Sequence, residues 1–306
     1  MIYTVTLNPS IDYVVSMEQL IEGSVNRVSS ENFYAGGKGI NVSQILNQHE
    51  IENVALGFIG GFTGDFVKGS LQEKGIKTKF IELNQGVSRI NMKIKTSHDE
   101  TEINGAGPII SKENVEALYR QLDELTSSDT LVLAGSIPAC LPDDFYEQIM
   151  KYLQDKQVKV IVDATKNLLL NVLKYRPFLI KPNHHEIAEM FNVKISTTEE
   201  LIHYGNQLKE MGAQNVLISM GGDGAILIAE NGTVYRSNVP KGVVKNSVGA
   251  GDSMVAGFIA GYEKTTSYEE ALRLGAASGS ATAFSSDVAT RDYIDQLVTE
   301  ICVTKL

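Results

Sequence analysis

Short β-branched or apolar runs alternate with segments of helical period along this 306-residue chain, and nothing else in it limits the fold so strongly. Runs at 2–7, 54–58, 130–134, 158–163, 178–181 and 215–219 read as buried strands. Segments 41–50, 65–74, 114–125, 144–154, 199–211, 251–262 and 268–283 read as helices; Val42, Ile45 and Leu46 show the spacing. A βαβα order predicts the α/β class, a mostly parallel sheet with helices on both faces. One region breaks the rhythm. Segments 89–96 and 100–104 read as strands flanking the turn-prone Ser97-His98-Asp99, and with 11–15 and 31–34 they suit a small separate sheet. These pieces are dispersed. The expectation is therefore an inserted β-sheet lid (9–35 and 87–105) on a main domain made of 1–8, 36–86 and 106–306.

The formal net charge of −10 makes the chain a poor partner for nucleic acid or an anionic membrane. Any phosphate it binds must be held by a few identifiable Lys and Arg. Cys140 and Cys302 form no metal-ligand spacing and no disulfide framework, which suits free thiols in a reducing cytoplasm. The N-terminus has no basic region followed by a long apolar run, and no run approaches the ~18 apolar residues of a membrane span. A soluble, cytoplasmic protein is expected.

Four motifs carry chemistry. In Asn246-Ser247-Val248-Gly249-Ala250-Gly251-Asp252-Ser253, glycines meet the start of an apolar helix. Glycines let consecutive N–H groups turn to one point, and a helix N-terminus adds free N–H groups and partial positive charge. The product is an anion hole suited to a phosphoryl group in transfer. Asp252 in that first turn suits a general base, and it equally suits a capping Asp in a Gly-rich turn. In Ala35-Gly36-Gly37-Lys38-Gly39-Ile40-Asn41, glycines admit a ligand close to the backbone, while Lys38 and Asn41 offer a cation and an amide. Neither GxxxxGK[ST] nor a GxGxxG following a strand is present, which disfavours a P-loop or a dinucleotide fold.

The third motif is Lys181-Pro182-Asn183-His184-His185-Glu186. Adjacent histidines point apart and no H-x-x-x-H spacing occurs, so Glu186 suits an outer-sphere Mg²⁺ ligand better than the motif suits zinc. The fourth, Ser219-Met220-Gly221-Gly222-Asp223-Gly224, follows a strand, where open α/β sheets bind ligands. A hairpin turn into a strand at 225–229 is the alternative.

Together with Asn8-Pro9-Ser10-Ile11-Asp12, these motifs resemble the ribokinase-type carbohydrate kinase family along the whole chain. Within it, MIYTVTLNPSIDY and TEINGAGP (101–108) are most similar to bacterial kinases of fructose 1-phosphate, with kinases of tagatose 6-phosphate the near competitor. The resemblance implies a ribokinase-like three-layer α/β/α fold, ATP and Mg²⁺, and phosphorylation of fructose 1-phosphate at its C6 hydroxyl. It implies Asp252 as base and Gly249, Ala250 and Gly251 as the anion hole. Asp12 and Asn41 would hold sugar hydroxyls, and Gly37, Lys38 and Ser136 would line the sugar pocket. Arg89 would grip the phosphate already on the sugar, and Arg27 would reach a phosphate from a neighbouring lid. Lys181, Asn183, Ser219, Gly221, Gly222, Gly224 and Ser247 would serve the nucleotide, and Glu186 the Mg²⁺, through water. Paired lids would make a homodimer. A non-catalytic sugar-phosphate sensor is the reading from another class. It would be expected to have lost the base, whereas Asp252, Glu186 and both glycine loops are present.

Overall fold

The computed structural model describes residues 1–164 and 166–306. In chain order the strands are β1 (Ile2–Thr6), β2 (Ser10–Ser16), β3 (Ser30–Gly36), β4 (Asn53–Gly60), β5 (Lys77–Thr78), β6 (Ile81–Leu83), β7 (Arg89–Lys95), β8 (Glu100–Asn104), β9 (Thr130–Ala134), β10 (Lys159–Asp163), β11 (Leu179–Ile180), β12 (Asn215–Ser219), β13 (Ala225–Ile228), β14 (Val234–Ser237) and β15 (Val303–Lys305). The helices are α1 (Lys38–Gln48), α2 (Gly61–Glu73), α3 (Lys112–Asp123), α4 (Phe145–Leu153), α5 (Lys166–Val172), α6 (His184–Phe191), α7 (Thr198–Glu210), α8 (Ala250–Thr265), α9 (Tyr268–Ala283) and α10 (Arg291–Val298).

The central sheet runs β15-β14-β13-β12-β11-β10-β9-β1-β4-β5, with β6 beside β4. Strands β12 through β5 pair in parallel, and β13, β14 and β15 form an antiparallel edge. Alternate side chains feed opposite layers, as the two-residue period of a strand requires. Leu131 and Leu133 of β9 join the core under α3 to α7. Val132 and Ala134 join the core under α1, α8, α9 and α10. Strand β4 is buried at all eight positions and so reads as a continuous apolar run. Each fully buried Leu or Ile contributes roughly 1.5–3 kcal/mol.

Helices α8 and α9 lie unusually close, because the small residues of MVAGFIAGY face α9. A Cβ on Gly257 would sit 2.5 Å from Leu274 O and Ser278 Oγ, and one on Gly261 2.8 Å from Ala271 Cα. This seam holds the start of α8 at the end of the sheet. A second sheet, ordered β3-β2-β7-β8, stands apart from the first, with β2 and β7 parallel.

The antiparallel edge and α10 are not legible in the sequence as elements, apart from the strand considered at 225–229. Strand β15 has only three residues and finds its place by pairing Arg236 with Thr304 across the chain. Such short runs carry no period of their own. Helix α6 lies in a segment legible only as a motif. Among the described residues, no helix is long and apolar enough to cross a membrane.

Candidate active site

A cavity of about 480 Å³ opens at the C-terminal ends of β1, β9, β10 and β11 and reaches the small sheet. Open α/β sheets bind ligands at this end, because strand-to-helix turns converge there. Two helices begin at its edge without a side-chain cap, each from a glycine: α1 from Gly37 (φ 126) and α8 from Gly249 (φ 80). Both angles lie where side chains other than glycine are strained. Helices α3, α6 and α7, by contrast, begin with complete capping boxes.

Asp252 lies in the first turn of α8, 5% exposed, and its Oδ2 accepts a hydrogen bond from Asn41 Nδ2 at 2.8 Å. Gly249, not Asp252, is the capping residue, so the structure removes the capping reading of this aspartate. Asp163, the last residue of β10, is buried beside it and meets Lys181 Nζ at 3.3 Å and Lys38 Nζ at 3.4 Å. The two carboxyls are pushed in opposite directions. Burial raises the Asp252 pKa to about 6, helped by the Asp163 charge and opposed by Lys38, Asn41 and Lys181. Burial also acts to raise Asp163, but Lys181, Lys38 and a hydrogen bond from Asp252 outweigh it and hold Asp163 below the usual carboxylate range. Burial works against the Lys38 charge, yet Asp163 and Asp252 keep its pKa above the ordinary lysine value. Asp163 thus stays an anion, while Asp252 can take a proton near neutral pH. Room for the cluster depends on Gly251, where a Cβ would lie 3.0 Å from Lys181 Nζ.

The opposite wall belongs to the small sheet. Asp12 of β2 accepts Ser10 Oγ at 2.7 Å and Asn91 Nδ2 at 3.1 Å on Oδ1, and pairs with Lys93 Nζ at 2.8 Å through Oδ2. Arg89 donates through Nε to Asn8 O at 3.1 Å, and its partial burial lowers the guanidinium pKa. Arg89, Asn91 and Lys93 alternate along β7, so all three face the cavity.

The structure therefore gathers Asp12, Gly37, Lys38, Asn41, Arg89 and Ser136 with Lys181, Gly249, Gly251 and Asp252 around one cavity. The amide of Ala250 donates to Ser247 O at 3.3 Å within the loop leading into α8. Asn183 caps α6, and a parallel bridge sets it beside Ser219. Residues 219–224 turn β12 into β13, so the hairpin alternative describes their backbone. Asn183, Glu186, Ser219, Gly221, Gly222 and Gly224 lie outside the cavity lining. Arg27 is exposed on the β2–β3 loop, away from the cavity of its own chain. The motifs do not point to Asp163, Asn91 or Lys93. An aspartate closing the parallel strand VIVDA is the available signal for the first, and the two-residue period after Arg89 for the others.

The model of the pfkB family carbohydrate kinases matches residues 5–293. The chain belongs to that family. As a pfkB carbohydrate kinase it has the ATP-dependent sugar kinase activity and the ribokinase-like fold that its motifs implied. It is 51% identical to the 1-phosphofructokinase of Bacillus subtilis over 306 residues, covering all of both chains. It is 38% identical to the D-tagatose-1-phosphate kinase of Bacillus licheniformis, again over all of both. The structure superposes on phosphofructokinase-2 of Escherichia coli, solved in complex with substrates and products, with a TM-score of 0.92, 25% identity and 98% of each chain covered.

Proposed function

We propose that this pfkB kinase transfers the γ-phosphoryl group of ATP to the C6 hydroxyl of fructose 1-phosphate, giving fructose 1,6-bisphosphate, in the cytoplasm. The buried pair of carboxyls carries the reading: Asp163 ion-paired to Lys38 and Lys181, and Asp252 hydrogen-bonded to Asn41 with its pKa raised to about 6, ionised at neutral pH yet able to take a proton. Asp252 accepts the proton of the attacking hydroxyl, and Asp163 holds Lys38 and Lys181 facing the transferred group. The uncapped amides at the start of α8 receive the charge on that group. Arg89 binds the phosphate already on the sugar, Ser136 lies beside it, and Asp12 and Asn41 hold hydroxyls. The nucleotide lies against Asn183, Ser247 and the 219–224 turn.

Among the described residues, no group of three or more His, Cys, Asp and Glu side chains could hold a metal ion. Glu186 would serve Mg²⁺ as an outer carboxylate, the ion keeping mainly nucleotide phosphates and water as ligands. When bound, it neutralises phosphate charge. The small sheet acts as a lid that excludes water. Its outer face exposes Phe33, Ile90 and Ile103, and in our reading covers the same face of a second copy, bringing Arg27 to the neighbouring site. A monomer in sedimentation equilibrium would overturn that part.

An ADP-release assay over fructose 1-phosphate, tagatose 1-phosphate, tagatose 6-phosphate and fructose 6-phosphate tests the substrate. The highest kcat/KM belongs to fructose 1-phosphate under this reading. A higher value for either tagatose phosphate replaces it with a tagatose-phosphate kinase. Binding of sugar phosphate with no ADP release from any of them would indicate a sensor.

A further inference from the structure

Asp12 is held far more firmly than a lone sugar-binding carboxylate needs to be. Three donors converge on it: Ser10 Oγ at 2.7 Å, Asn91 Nδ2 at 3.1 Å and Lys93 Nζ at 2.8 Å. Gly36 leaves the room this arrangement needs, since a Cβ there would fall 2.4 Å from Asp12 Oδ1, while Asp12 stays open to the cavity. Lys93 is itself only 5% exposed, a rare place for a lysine. A well-packed apolar pair of similar volume would generally stabilise a sheet as well as this buried ion pair does. Its place on the cavity wall is what sets it apart.

We propose that Lys93 is a positioning residue that makes Asp12 the specificity-determining group of the sugar site. Held by Lys93, Asp12 keeps one orientation and offers only acceptor lone pairs to the cavity. It takes hydrogen bonds from hydroxyls at one place along the sugar and rejects a phosphate or carbonyl oxygen there, since neither brings a proton to donate. Lys93 and Arg89 have different tasks on the same strand: Arg89 grips the sugar's phosphate, and Lys93 sets the orientation of the group that reads its hydroxyls. The sequence motifs contain Asp12 but not Lys93, because β7 meets β2 only through the sheet, with Asp12 opposite Asn91.

This inference rests on the proposed sugar-phosphate kinase reading. The test compares wild type, Lys93→Met and Lys93→Arg with fructose 1-phosphate and its C4 epimer tagatose 1-phosphate, varying ATP separately. Lys93→Met is expected to raise KM for the preferred sugar roughly tenfold and to shrink the preference between the epimers by a similar factor. KM for ATP stays unchanged and kcat falls less than KM rises. Lys93→Arg restores part of the preference. Ser10→Ala, which removes one donor to Asp12, gives a smaller shift in the same direction and serves if Lys93→Met does not fold. A Lys93→Met enzyme with lowered Tm but unaltered sugar KM and epimer preference overturns the inference and leaves the kinase reading standing. A wild type that phosphorylates neither sugar overturns both.

Discussion

Helices α6 and α8 both begin near the ligand end of the sheet, and each carries a carboxylate at the third position of its first turn. In α6 that residue is Glu186. Its Oε2 accepts from Asn183 N at 2.8 Å, while Asn183 Oδ1 accepts from Glu186 N at 2.8 Å, so the end closes on itself. In α8 the residue is Asp252, and the capping position is Gly249, which has no side chain to return a bond. Asp252 turns instead to Asn41 and Asp163. The same carboxylate position thus stabilises one helix and faces the cavity from the other. The capping residue three places earlier decides which, because a capping box needs two side chains.

Three substitutions can break or sharpen that contrast. The largest effect is expected from Asp252→Asn, which keeps the shape and removes the proposed base. Its kcat should fall roughly 10²–10⁴-fold with KM for ATP retained. Wild-type kcat/KM, corrected for ionisation of the phosphosugar, should fall as pH drops below about 6, where Asp252 takes up its proton. The two carboxyls titrate together, so the midpoint belongs to the pair. Stability runs the other way. The folded-state pKa lies above the ordinary aspartate value of 3.8, so the ionised carboxylate destabilises the fold, and does so fully above about pH 6. Asp252→Asn should therefore raise Tm by about a few degrees at pH 8 and change little at pH 4, measured by calorimetry. A lower Tm at pH 8 would mean that Asp252, like Glu186 in its capping box, stabilises its own helix start.

Gly251→Ala should come next. The added Cβ would stand 3.0 Å from Lys181 Nζ and push that ammonium by a few tenths of an ångström against Asp163. A loss of roughly 10–100-fold in kcat/KM is expected, the scale of a misplaced catalytic group. Lys181 helps hold the Asp252 pKa down, so the acid limb of the pH profile should move upward. An unmoved limb would mean that Lys181 does not act on Asp252.

The smallest effect should follow Asn183→Ala. Loss of the cap should cost about 1 kcal/mol, read as a lowered denaturation midpoint with unchanged slope. Its kcat should fall far less than that of Asp252→Asn. A kcat loss of the same size from both helix starts would erase the contrast.

Much of the fold is legible in the sequence because parallel strands buried on both faces must be apolar throughout. Thr130–Ala134 and Asn215–Ser219 have the same bounds in the structure as in the sequence pattern. Strands β14 and β15 and helix α10 leave no such pattern. Short edge elements are selected by their partners, and for β15 that partner, β14, is distant in the chain. The cavity follows the same division. Glycine loops and helix starts are local patterns, so Lys38, Asn41 and Asp252 stand out from the order of residues alone. Asp163, Asn91 and Lys93 do not, since each is one residue in an ordinary strand until the sheet brings it to the cavity.

The sequence by itself determined the layer architecture, the glycine loops that line the cavity and the kinase family, because periodicity and glycine placement act over a few residues. Only the tertiary structure decided which carboxylate takes a proton. The pKa of Asp252 depends on burial and on the Asp163 charge brought beside it from the end of a different strand, and Asp163 stays ionised because Lys38 and Lys181 arrive from two further elements. Electrostatic energy depends on distance through space, and the order of residues along the chain does not contain that distance.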